Sequence, residues 1–313
     1  MLVIAKLLRG IGWLCCLWRM PVRSLVAAGI ALVCLCLLGS LYPLPSAAQQ
    51  LAFRDLYTFP EANWKYENSG GAQPRAGLIQ ARDGNLYGTT WLGGPNGDGV
   101  VFRITKAGQL TVLHSFSGPD GADPVPDCLV QASDGNLYGT TYHGGANGQG
   151  AVFRITTSGD LTLMHSFSGP DGGQPWAGLI QASDGNLYGT TSGGGPDGGG
   201  VVFRMRTSGS LTVLLSFAGQ TPARGGFQPY GGLVHASSGN LSGTTLWGGA
   251  DFGVVFRITT AGHFTVVHSF SEADGVPYGT LIQGSDGALY GTANGDTKGL
   301  GGAVFRLKAV STH

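Results

Sequence analysis

The segment "GLIQASDGNLYGTT" at residues 178–191 recurs in close copy along the chain, and this recurrence limits the possible folds more than any other feature. Equivalent leucines stand at Leu78, Leu129, Leu179, Leu233 and Leu281, giving spacings of 51, 50, 54 and 48 residues. A period near 50 with several strand-like segments per unit predicts propeller blades rather than the short coils of a solenoid. The third unit shows the plan. "GLIQA" leads through Ser183, Asp184 and Gly185 into "NLYGTT", the Gly-rich loop "SGGGPDGGG" leads into "VVFRMR", and a turn at Thr207, Ser208 and Gly209 leads into "LTVLLSF". Asp-Gly between runs of β-branched and aromatic residues signals a hairpin. A longer loop from Ala218 to Tyr230 then carries the chain to the next unit. The 56 Gly fall at fixed intervals, as many tight turns require, and disfavour a helical bundle.

The ends of the chain bear on how such units assemble. The last unit stops after "AVFRLK" at Lys308 without a fourth strand, while "LAFRDLYTF" near the start resembles "LTVLHSF". The expected fold is therefore all-β, a five-bladed β-propeller of four-stranded blades in which the N-terminal segment completes the last blade and leaves no open sheet edge. An open β-solenoid or a linear array are the alternatives.

These residues also carry a family resemblance. "GLIQASDGNLYGTT", a GG loop, "VVFRIT" or a near copy, and "LHSF", spread over residues 51–308, resemble the bacterial tandem repeat called GloVer, found in exported proteins with varied C-terminal anchoring signals. The strand layout is similar to NHL-type propeller repeats. The resemblance implies fold and export but no established activity, and the chain departs from anchored members by ending at "STH".

Residues 1–48 differ in kind from the rest. They hold Lys6, Arg9, Arg19 and Arg23 but no Asp or Glu, and continue through an apolar run from Leu25 to Leu41 to small residues at Ser46 and Ala48. That is the layout of a secretory signal cleaved after Ala48, leaving one domain at 49–313 that is secreted, periplasmic or on the cell surface. Met20 is an alternative start, since the segment from there has the length of an ordinary signal, and an uncleaved membrane anchor is the competing reading. Beyond residue 48 there are 14 basic and 18 acidic residues, so no basic field exists to hold a phosphate backbone, and nucleic acid is a poor candidate partner. Four of the five Cys lie in the signal segment, and Cys128 alone allows neither an intrachain disulfide nor a Cys metal site. No cofactor, metal site or catalytic residue is expected, and the mature chain is expected to be a monomer.

Recurring polar residues read as scaffold. Asp83, Asp134, Asp184 and Asp286 precede Gly in the first turn of their units, where Asp tolerates a left-handed backbone; Ser238 replaces it in the fourth unit. His114, His165 and His268 in "LHSF" stand where Tyr57 and Leu215 stand elsewhere, which argues for packing. The Gly-rich loops lack the Lys and following helix of a phosphate cradle and read as close backbone packing.

Positions that differ between units carry more functional information. Before the first strand stand Arg75, Pro126, Trp176, Tyr230 and Tyr278; after "GTT" come Trp91, Tyr142 with His143, Ser192, and Leu246 with Trp247. In a blade these two loops emerge on one face, so aromatic and polar groups are expected to ring one mouth of the channel. The candidate ligand-binding residues are Arg75, Trp91, Asp127, Tyr142, His143, Trp176, Tyr230, Trp247 and Tyr278. Flat rings with polar neighbours suit sugar faces, making glycan the expected ligand and protein the second; packing between blades is the competing account. A hydrolase or lyase would need two facing carboxylates, and only Asp127 sits beside a first strand.

Overall fold

The computed structural model describes residues 53–61, 68, 70–125, 129–219, 225–295 and 301–308. The chain divides into two units, Met1–Arg54 and Asp55–His313, and every described strand lies in the second. The proposed signal segment lies outside the described residues. Among those described there are strands and no helix, hence none long and apolar enough to cross a membrane.

Strand propensity and turn chemistry combine unit by unit. The first sheet comprises β1 (Ile79–Gln80), β2 (Leu86–Thr90), β3 (Val100–Ile104) and β4 (Leu110–Ser115), antiparallel and in chain order. The second holds β5 (Ala122–Pro124), β6 (Val130–Gln131), β7 (Leu137–His143), β8 (Ala151–Ile155) and β9 (Leu161–Ser166), with β5 and β6 both pairing with β7. The third comprises β10 (Ile180–Gln181), β11 (Leu187–Thr191), β12 (Val201–Met205) and β13 (Leu211–Ser216). The fourth comprises β14 (Val234–His235), β15 (Leu241–Thr244), β16 (Val254–Ile258) and β17 (Phe264–Ser269). In the fifth, β18 (Val276–Pro277) and β19 (Ile282–Gln283) both pair with β20 (Leu289–Asn294), which pairs with β21 (Ala303–Leu307).

First strands are shorter than "GLIQA" suggests. Only two residues of each form a ladder, and the preceding loop is tied on by single bridges, Ala72 to Leu92, Gly173 to Gly193 and Phe227 to Trp247. In four sheets a register shift splits the "VVF" run, between Val101 and Phe102, Val152 and Phe153, Val202 and Phe203, and Val255 and Phe256. Both faces of these four strands are buried: β8, β12 and β16 lie in sheets with a neighbour on either side, and β3 lies between the second sheet and Phe59 of the N-terminal segment. Tyr138, Val152 and Phe167 of the second unit meet Leu179, Leu187, Val201 and Phe203 of the third, and equivalent residues build the other junctions.

The N-terminal segment departs from the expected strand. Among the described residues, 53–60 form no strand and β21 is paired only with β20. The segment nevertheless packs as "LHSF" does. Phe59 meets Phe102 edge-on at 5.3 Å, as Phe116 meets Phe153 at 5.2 Å and Phe167 meets Phe203 at 5.4 Å. Tyr57 lies on Phe59 as His114 lies on Phe116, with centroids 5.2 and 5.1 Å apart.

Two readings of scaffold residues are refined. In the first turn the left-handed residue is Gly84, Gly135, Gly185, Gly239 or Gly287, not the preceding Asp. The Asp carboxylate instead accepts the buried Tyr hydroxyl four residues on, at 2.7 Å for Tyr87 and Asp83, 2.8 Å for Tyr138 and Asp134, and 2.6 Å for Tyr188 and Asp184. His114 and His165 do pack on phenylalanines, but each also bonds through Nε2 to Asp120 or Asp171 at 2.7 Å. Ser117 and Ser168 hold those carboxylates through backbone N–H and hydroxyl, stapling the loop that follows the fourth strand.

Candidate functional site

The loops before the first strand and after the second share one edge of the sheets because backbone hydrogen bonds join them. Trp91 N–H donates to the Gln73 carbonyl, Ser192 N–H to Gln174 and Leu246 N–H to Gln228. The residues that hold the entering chain in place adopt a left-handed backbone that Gln seldom takes: Gln73, Gln174 and Gln228 at φ 54°, and Asp123 at φ 56°. A Pro follows each and directs the next side chain, Arg75, Trp176 or Tyr230, toward its neighbours.

Six of the nine sequence candidates form one continuous chain of contacts. The Arg75 guanidinium lies 5.2 Å from the Trp91 ring, and Trp91 lies 6.1 Å from Tyr142 and 5.8 Å from Trp176. Tyr142 meets Trp176 at 4.9 Å, Trp176 meets Tyr230 at 5.3 Å and Tyr230 meets Tyr278 at 6.2 Å. Every unit contributes at least one member. The rings meet tilted or edge-on, with interplanar angles from 37° to 84°, so each is partly engaged and partly open, and Tyr278 is half exposed. A cavity of about 160 Å³ lies among Trp176, Tyr230, Tyr278 and Thr280. That is smaller than the several hundred Å³ of a drug-sized site and fits a single ring or side chain.

His143 sits at one flank, its ring 4.4 Å from that of Tyr142, and its Nδ1 lies 2.7 Å from Asp123 Oδ2. Burial, followed by the charges of Asp123 and Asp120, pushes the nearby Asp98 carboxyl up from the usual carboxylate range. Burial, followed by Tyr142 and Tyr278, pushes the Tyr230 hydroxyl up. Trp247 stands apart from the chain of rings: it is exposed, and its backbone pairs with Phe227. Asp127 and Pro126 lie outside the described residues. The second unit carries an extra residue here, so that Val125, not Pro126, follows its Pro as Arg75 follows Pro74; Val125 is fully buried and leaves a gap in the aromatic series. Sequence reasoning missed Asp123, although a carboxylate in place of the Gln of three other units was a visible signal. Among the described residues no group of three metal-ligating side chains is gathered.

No curated protein matches this chain. Among solved structures it is similar to a streptogramin B lyase, at 17% identity and TM-score 0.51, over 75% of this chain and 68% of that one. It is also similar to virginiamycin B lyase from Staphylococcus aureus, at 21% identity and TM-score 0.48, over 68% of this chain, which spans 61% of that protein. A third likeness is to a luciferin-regenerating enzyme, at 14% identity and TM-score 0.47, over 75% of this chain and 78% of that one. The streptogramin B lyase likeness concerns the fold alone, which is propeller-like. The model of the Gloeobacter/Verrucomicrobia repeat matches residues 38–226, and the chain belongs to that family.

Proposed function

We propose that this chain is an exported, non-catalytic binding module that takes a glycan on the aromatic face, acting as a monomer built as a closed five-bladed propeller. The observation that carries this reading is the continuous run from Arg75 through Trp91, Tyr142, Trp176 and Tyr230 to Tyr278. The Trp91–Trp176 contact joins the first unit to the third across the second, which supports first strands that converge as they do around a propeller axis. Side chains that differ between otherwise near-identical units, gathered on one face, are the pattern of a recognition surface laid on a repeated scaffold. Aromatic rings offer a large area at small conformational cost and suit the apolar face of a sugar ring. Closure is supported by residues 55–59, which pack on the first sheet as a fourth strand packs on the sheet that follows it.

The test is a glycan array probed with the purified protein and with Trp176→Ala and Tyr230→Ala variants. Binding that disappears in the variants while their unfolding midpoints stay within a few degrees supports the reading; unchanged binding refutes it. Release of reducing ends from a bound glycan would replace the module by a hydrolase or lyase, whose facing carboxylates would then have to be found. A blank array favours a protein-binding scaffold.

A further inference from the structure

Among the described residues three His–Asp pairs share a length of 2.7 Å, and one differs from the other two in spacing, bonding nitrogen and exposure. His114–Asp120 and His165–Asp171 repeat the same sequence spacing, bond through Nε2, and are 22% exposed at each imidazole. His143–Asp123 bonds through Nδ1, leaves its imidazole 48% exposed, and has no counterpart among the described residues of the other units. Asp123 occupies the position of Gln73, Gln174 and Gln228, with the same left-handed backbone. His143 occupies the position of Leu92, Gly193 and Trp247. Two departures from the repeat therefore meet in one contact, at the flank of the aromatic face.

An ionised carboxylate can only accept, so for a neutral imidazole the Asp123 contact selects the Nδ1–H tautomer, in which the Nε2 lone pair is free. Nε2 has no hydrogen-bond partner among the described residues, and the ring is braced edge-on against Tyr142. We propose that Asp123 and His143 are the polar anchor of the aromatic face, with Nε2 accepting a hydrogen bond from a hydroxyl of a sugar stacked beside Tyr142. The proposal rests on the glycan-binding reading above and adds to it the group that fixes the ligand's orientation. Asp123 is a positioning residue, and His143 makes the contact.

The other units supply variants compatible with the scaffold, Asp123→Gln and His143→Leu. Two-bond ¹H–¹⁵N correlation spectra of the ¹⁵N-labelled protein should show His143 protonated at Nδ1, with that preference lost in Asp123→Gln; an Nε2–H tautomer in the unsubstituted protein overturns the anchor. Titration calorimetry with cellohexaose, laminarihexaose and chitohexaose should show each variant weakening the bound sugar about tenfold, the scale of one lost hydrogen bond. If Trp176→Ala abolishes binding while both variants bind as before, the anchor falls and the aromatic face stands. If the unsubstituted protein binds none of the three sugars, the glycan reading falls and takes the anchor with it.

Discussion

A tyrosine hydroxyl buried against a turn carboxylate is the smallest unit this scaffold repeats. Tyr188 is fully buried, and its hydroxyl reaches Asp184 Oδ2 at 2.6 Å, while the Asn186 backbone N–H and side-chain amide occupy the same carboxylate. Replacing Tyr188 with Phe removes one charge-assisted hydrogen bond and should cost about 1.5–3 kcal/mol, read as a lower urea midpoint at unchanged slope. Burial, then the Asp hydrogen bond, pushes the Tyr87, Tyr138 and Tyr188 hydroxyls up to about 12. Because the folded-state value lies above the unfolded value near 10, these groups contribute stability that is complete below about pH 10. It is lost as pH rises toward 12. Urea midpoints should therefore fall between pH 9 and pH 11 in the wild type, and fall less in a Tyr188→Phe variant. For Asp83, Asp134 and Asp184, burial raises the carboxyl but hydrogen bonds from Tyr and Asn outweigh it and hold the group below its usual range. Their contribution is thus present above about pH 4 and fades as acid reaches the lowered values. The Asp in each turn was legible in the sequence, but its bond to Tyr was not, since a strand residue four places on gives no periodic signal. The fourth unit held the clue, for it replaces both members at once, by Ser238 and Ser242.

At the scale of the element, the "LYGTT" strand shows why a glycine recurs inside a β-strand. Gly189 pairs across the sheet with Phe203, and a Cβ there would lie 2.6 Å from Phe203 Cζ and 2.7 Å from Leu179 Cδ2. Phe203 is fully buried and cannot yield. Gly189→Ala should cost about 1–3 kcal/mol by overpacking. By contrast, Gly185→Ala meets nothing within 4 Å and should cost only the strain of φ +79°, about 1 kcal/mol. Urea unfolding of the two single variants checks the order. The repeating long strands and the turn positions were legible because β-branched runs and Asp-Gly turns obey local rules, whereas the short strands β5 and β18 and the unpaired N-terminal segment were not. The left-handed Gln73, Gln174 and Gln228 were not, since Gln carries no such preference and tertiary hydrogen bonds impose the conformation. The extra residue in the second unit likewise shifted the alignment by one and hid Asp123. Six of the nine candidate residues nonetheless came together, because variation at fixed repeat positions maps directly onto one edge of the sheets.

At the scale of the whole molecule, the two outermost sheet faces carry the chemistry of an internal junction without its partner. Leu78 is 51% exposed, whereas Leu129, Leu179, Leu233 and Leu281 are buried at the equivalent place. Val304 is 80% and Ile282 65% exposed, whereas Val101, Val152, Val202 and Val255 are fully buried. Apolar hollows lie on both faces, about 280 Å³ around Tyr57, Phe59 and Leu78, and about 240 Å³ around Ile282, Tyr290 and Val304. Exposed apolar surface of this kind is costly in water, and each face matches the type that covers the other at every internal junction. Closure would bring residues 55–59 beside β21 in the register of the fourth sheet, where Val255 faces His268. Since Tyr57 takes the place of His268, it should face Val304. Antiparallel neighbours lie within disulfide reach. A protein carrying Tyr57→Cys and Val304→Cys in a Cys128→Ser background should therefore oxidise to an intrachain bridge, seen as faster migration on non-reducing gels. By closing so long a loop, the bridge should stabilise the fold by up to roughly 5 kcal/mol, with either single Cys variant as the control. Bridged dimers would instead mean that the two faces meet between chains, and a protein that stays reduced under oxidising conditions would mean that they do not meet at all.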